Sequence, residues 1–142
     1  MRELKHELLP TRHTQVFHED KDKMEFNAPH HFVVVPAGSP LVDQQIHYGR
    51  GGNSKKVTVK DFAGKLATVN FQLGPVTEHG ANGVMNEDLI AMVITRLQYF
   101  QNSEFNCREN AMAITKLEEA LMWLNKRTAE REQRGVEGTH EK

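Results

Sequence analysis

Four side chains in the C-terminal half have the chemistry to hold a nucleotide: Phe100, Asn110, Arg127 and Arg131. Arg127 and Arg131 lie one helical turn apart and share a face, so two guanidinium forks can close on phosphate oxygens where a single lysine cannot. The competing interpretation is a solvated helix end whose arginines pair with Glu130 and offset the helix dipole. Asn110 falls where an apolar seam calls for an aliphatic side chain, so its amide must find a partner or water, or be kept for a ligand. Phe100 suits a packed core and equally offers a flat face on which a base can stack.

Spacing constrains how these four can act. Asn110 and Arg127 are 17 residues apart in the sequence, roughly 26 Å along a helix rising 1.5 Å per residue. One hairpin therefore cannot bring both ends to one small molecule. Two hairpins packed antiparallel can, because the turn of one then meets the arginine end of the other, and such a shared site requires twofold symmetry.

The elements that must position these residues are legible as an interrupted helical pattern over Asn86–Arg134. Asn86, followed by Glu87 and Asp88, is expected to cap a first helix. Its seam would comprise Leu89, Met92, Val93, Leu97 and Phe100. After a polar break at Gln101–Asn106, Asn106 with Glu109 reads as the capping box of a second helix. That seam runs through Cys107, Ile114, Leu117, Leu121 and Leu124, and Gly135 supplies the stop. Trp123, beside the seam, is expected to pack.

Upstream, Phe32–Val35 is a β-branched run ended by Pro36. Leu41–Tyr48 forms a weak strand, Val57 and Val59 alternate with polar residues, and Leu66–Gln72 alternates likewise. Gly49–Ser54 reads as a loop or hairpin tip, Gly74–Gly83 as irregular, and the tail after Arg134 as mobile unless a partner orders it. Thr11–Phe17 has the makings of a short extended piece, with a solvated loop around it. The expected fold class is α+β: a small N-terminal antiparallel β-sheet of about four strands, then a long two-helix antiparallel hairpin. The expected division is a polar segment over 1–25, a small β-sheet region over 26–76 and a helical hairpin over 77–142, in one compact domain overall.

Composition narrows the functional classes. With 142 residues, 38% of them hydrophobic, and a net charge of −1, the chain has room for one modest core and no global field to hold a DNA or RNA duplex. One cysteine leaves no internal disulfide and fits a reducing cytoplasm. No apolar run approaches the roughly 20 residues of a membrane span, and no signal peptide is evident. The eight histidines are scattered without a helical pair, so no metal is expected. GRGGNSKK lacks the spacing of a phosphate loop. Cys107, at a helix start, is better explained as a packed core thiol than as a nucleophile. No catalytic constellation and no cofactor site emerge.

The stretch NFQLGPVTEHGANGVMNEDLIAMVITRLQYFQ, followed by CRENAMAITKLEEALMWLNKRTAEREQRGVEGTH, resembles the helical-hairpin domain of phage nucleotide sponges, the Thoeris anti-defence and anti-CBASS proteins. The likeness runs over roughly residues 66–140, and the pieces FQ, REN, LEEA, WL and RGVEGTH occur in that order. The N-terminal strands and length favour the Thoeris branch, although the first 60 residues match only in kind. The resemblance implies a non-enzymatic protein in the cytoplasm of the infected bacterial host. It would sequester cyclic nucleotide messengers, namely glycocyclic ADP-ribose and, in some members, cyclic trinucleotides, without cleaving them. It also implies self-association as a dimer or hexamer. Carried over by position, the ADP-ribose pocket falls on Phe100, Asn110, Arg127 and Arg131. A second cyclic-nucleotide site falls around Asn82, Gly83, Arg134, Gly135, Val136, Glu137, Gly138 and Thr139. Two other classes stay open: a phosphodiesterase acting on such messengers, and a structural hairpin that only oligomerises.

Overall fold

Val33 and Val35 alternate with outward-facing neighbours along one strand, and they are the two most completely buried side chains of the first unit. The computed structural model describes residues 1–49, 52 and 54–142. The chain forms two units, Met1–Val69 and Asn70–Lys142.

In the first unit, β1 (Arg2–Glu3), β2 (Thr14–His18) and β3 (His31–Pro36) pair in sequence, and Phe17 stands opposite Val33 in antiparallel register. β4 (Leu41–Tyr48) and β5 (Lys55–Phe62) form a separate two-stranded antiparallel sheet, with Leu41 opposite Phe62 and Tyr48 opposite Lys55. β6 (Ala67–Asn70) adds to β3, giving the order β1-β2-β3-β6. Phe62 from β5 reaches the core formed by Val33 and Val35, where its ring lies 4.4 Å from that of Phe17.

A polar clamp holds the entry to β3. Glu19 accepts the backbone N–H groups of His30 at 2.6 Å and His31 at 3.0 Å. Burial pushes the Glu19 carboxyl pKa up, but these backbone donors outweigh it and hold the group below its ordinary value of 4.5. Lys65, bonded at 2.6 Å, lowers that of Asp61 in the same sense. A carboxyl whose folded value is depressed contributes stability above its unfolded value, and that contribution is lost as pH falls through the folded one.

The α+β expectation holds, with two differences in the strands. Among the described residues there are six strands in two sheets, not about four in one. β2 takes up most of the expected Thr11–Phe17 extended piece, and the polar N-terminus adds β1 because its pairing with β2 satisfies backbone groups that composition alone assigned to solvent. The last strand is also shorter than expected, ending at Asn70 and leaving Leu66 exposed before it. Of the expected loop Gly49–Ser54, Arg50, Gly51 and Asn53 lie outside the described residues.

The second unit holds α1 (Val76–His79), α2 (Asn86–Gln101) and α3 (Arg108–Gln133), and α2 packs on α3. α1 sits inside the glycine-rich stretch expected to be irregular. Its single turn ends at Gly80, whose φ of +69° suits a residue without a side chain. Asn86 proves to be the first helical residue instead of the cap; the cap is Met85, whose N–H is accepted by Asp88 Oδ2 at 2.8 Å. The cap of α3 is displaced the other way, one residue later than expected. Cys107 takes it, and its Sγ accepts the N–H of Asn110 at 3.4 Å. Cys107 is exposed rather than packed in the seam. The inner face of α2 is centred on buried Ile94, with Ile90 and Leu97 half-buried on either side. Met92, 60% exposed, and Val93 point away from it. Both belong to the threefold and fourfold spacing, but the facing helix selects the neighbouring stripe.

Candidate functional site

The turn between α2 and α3 is built by its own polar side chains. Gln101 donates to the Cys107 carbonyl and accepts the Cys107 N–H, both at 2.9 Å. Ser103 Oγ caps the Phe100 carbonyl at 2.6 Å, and Asn106 donates to the Ser103 carbonyl at 2.9 Å. These bonds satisfy the groups left open at a helix end and fix Phe100 and Asn110 on either side of the turn.

Phe100 is half-buried. The Arg96 guanidinium lies 5.4 Å from its ring centre, and Phe105 meets it edge-on at 6.5 Å. Arg96 escaped the sequence analysis, although its position four residues before Phe100 puts the two on one face. The Asn110 side chain is half-buried and has no hydrogen-bond partner among the described residues. Its amide therefore remains able to bond a ligand.

The two arginines differ sharply. Arg127 is exposed and, among the described residues, carries no ion pair or side-chain hydrogen bond; Glu130 pairs with Lys126 at 3.8 Å instead. The expected Arg–Glu130 pairing is therefore absent for Arg127. Arg131 is only 8% exposed. Its Nε donates to Glu137 Oε2 at 3.0 Å, one terminal nitrogen to the Glu141 carbonyl at 2.5 Å, and the other to the Val136 and Thr139 carbonyls at 2.9 and 3.1 Å.

The tail, expected to be mobile, is thus wrapped around this guanidinium, with Val136 buried beneath it. Gly135 and Gly138, at φ values of +71° and +76°, make the reversals. Thr77 in α1 bonds the Gly138 carbonyl through both its N–H and its hydroxyl, and His140 Nδ1 lies 2.9 Å from Glu78. The helix end itself provides an anchor for this order, through Arg131. The motif RGVEGTH carried the signal: glycines three apart after a helix ending in arginine.

The remaining members of the second proposed site are placed by the same local chemistry. Asn82 accepts the Leu73 N–H and donates to the Leu73 carbonyl, both at 2.8 Å, while its own N–H goes to Gln72. Asn82 is therefore a staple across its loop. Gly83 is obligatory for packing: a Cβ there would lie 2.5 Å from the Phe71 backbone. Arg134 turns to the Lys142 carbonyl. The tail is bonded to α1 through Thr77 and Glu78, whereas Asn82 and Gly83 are packed on residues 71–73, just past the end of β6.

An apolar surface remains outside. Met112, Met122, Tyr99 and Trp123, the last 69% exposed, join Met92 on the outer faces of the hairpin. Trp123, expected to pack within the chain, instead carries Lys126 at 5.2 Å from its ring and lines a shallow groove with Glu119 and Met122. Among the described residues no helix is long and apolar enough to cross a membrane, and no three His, Cys, Asp or Glu side chains gather as a metal set.

Residues 65–129 match the Acb2/Tad1 hairpin domain. The matched span contains the turn, Phe100, Asn110 and Arg127, and stops just short of Arg131 and the tail. Over that span the hairpin of this chain is similar to the Acb2/Tad1 hairpin domain.

Proposed function

We propose that this protein is a phage sponge that captures glycocyclic ADP-ribose, the messenger of Thoeris immunity, in the host cytoplasm and holds it without degrading it. A second class of ligand, the CBASS cyclic trinucleotides, would bind around the Asn82–Gly83 loop and the Arg134–Thr139 tail. In the first pocket Phe100 stacks a base, Asn110 bonds its polar edge, and Arg127 and Arg131 hold the phosphates. The observation that carries this reading is Arg127: an exposed guanidinium without a partner among the described residues, on a hairpin matched to this family.

Because roughly 26 Å of helix separates Asn110 from Arg127, each pocket takes its aromatic end from one copy and its cationic end from another. The exposed apolar side chains Met92, Met112, Met122 and Trp123 support such pairing, since apolar area of this kind is stabilised by removal from water. Dimers would then assemble further into hexamers.

Depletion followed by recovery tests the proposal. The protein is mixed with glycocyclic ADP-ribose, unbound ligand is measured, and the protein is then heat-denatured. A sponge removes the messenger stoichiometrically and returns it unchanged. Recovery of a cleaved product, with loss of activity in EDTA, would replace this reading with a phosphodiesterase. Failure to deplete at all would leave an oligomerising scaffold.

A further inference from the structure

Arg131 belongs to the proposed phosphate clamp and is also the post around which the tail is tied. A guanidinium has five N–H donors, and in Arg131 four hydrogen bonds to the tail engage all three nitrogens. The one charged partner among them is Glu137. Resting on the reading that Arg131 meets a phosphate, we propose that the C-terminal segment is a latch, in which Glu137 holds the place that an anionic group of the ligand takes.

The geometry allows the exchange. The Glu137 side chain is 38% exposed, so its carboxylate can swing into water without being stranded. Besides Val136 and the bonds from Arg131 and Arg134, the segment is held by polar contacts near the surface, at Thr77 and Glu78. An incoming phosphate replaces one charge-assisted bond by another of the same kind, so the buried guanidinium is never left unpaired. Until Glu137 leaves, its charge opposes the same phosphate that Arg127, one turn earlier, attracts. Capture is therefore coupled to loosening of the tail, whose Val136 and Thr139 amides are bonded to the Arg131 and Val136 carbonyls.

Calorimetric titration and amide hydrogen exchange on the full-length protein test the latch, with ADP-ribose and inorganic pyrophosphate as probes. Both anions should speed exchange at Val136 and Thr139. Glu137→Gln should bind them roughly two- to fivefold more tightly, the scale of one partly screened charge contact, and Glu137→Asp should return toward wild type. If ADP-ribose binds while those amides stay protected and Glu137→Gln binds no better, the latch is overturned and the sponge reading survives. If pyrophosphate opens the tail but ADP-ribose does not bind, the latch stands and the ADP-ribose pocket falls. No response to either anion in either protein overturns the latch as well.

Discussion

The two ends of the hairpin solve opposite problems. At the turn, Gln101, Ser103 and Asn106 satisfy the backbone among themselves, which leaves the Asn110 amide uncommitted among the described residues and Phe100 half-buried. At the far end the backbone of the tail is satisfied by a side chain, Arg131, which is thereby committed, while Arg127 one turn away carries no side-chain hydrogen bond or ion pair among the described residues. An end that closes on itself can present ligand groups at no structural cost. An end that uses a ligand-type residue as its own anchor ties recognition to folding.

That contrast can be broken most directly at Arg131. Arg131→Ala removes a buried guanidinium together with its four hydrogen bonds to the tail, so the second unit should lose roughly 3 kcal/mol. Urea melts would show it, and loss of tail protection in hydrogen exchange should accompany it. Arg127→Ala should instead melt within about 0.5 kcal/mol of wild type, while ligand affinity falls by roughly 1.5–3 kcal/mol in a titration with glycocyclic ADP-ribose. Equal behaviour of the two variants in both assays would erase the distinction drawn between them. Trp123→Ala should have the smallest effect on the chain itself, again within about 0.5 kcal/mol, because the ring is exposed. Its effect should appear as a fall in native mass at low concentration, and an unchanged mass would show that this face is not the one used for pairing.

How far the sequence revealed this arrangement depended on the range of the interactions involved. The hairpin was legible because Ile114, Leu117, Leu121 and Leu124 repeat with helical spacing, and the Gly135 stop was legible because only a few residue types tolerate a positive φ. The choice of Ile94 over Met92 as the inner position was not, since both satisfy the spacing and only the facing helix decides. β1 was obscured for a related reason: its strand character comes from pairing with β2, not from its own polar residues, whereas Thr11–Phe17 already pointed to β2. Within the candidate site, Arg127 and Arg131 looked equivalent at one-turn spacing. What separates them is a carboxylate and three carbonyls supplied by a tail whose composition suggested mobility.

Cys107 offers a vantage point on the whole assembly. It is the chain's single thiol, exposed at the cap of α3, so a maleimide dye would mark the turn end of every copy and nothing else. α3 has 26 residues, a rod of roughly 39 Å at 1.5 Å per residue. Copies lying head to tail would hold two dyes about that far apart, whereas copies lying side by side in the same direction would bring them together and quench them. A single fluorophore thus reports the polarity of the pair without any substitution in the protein.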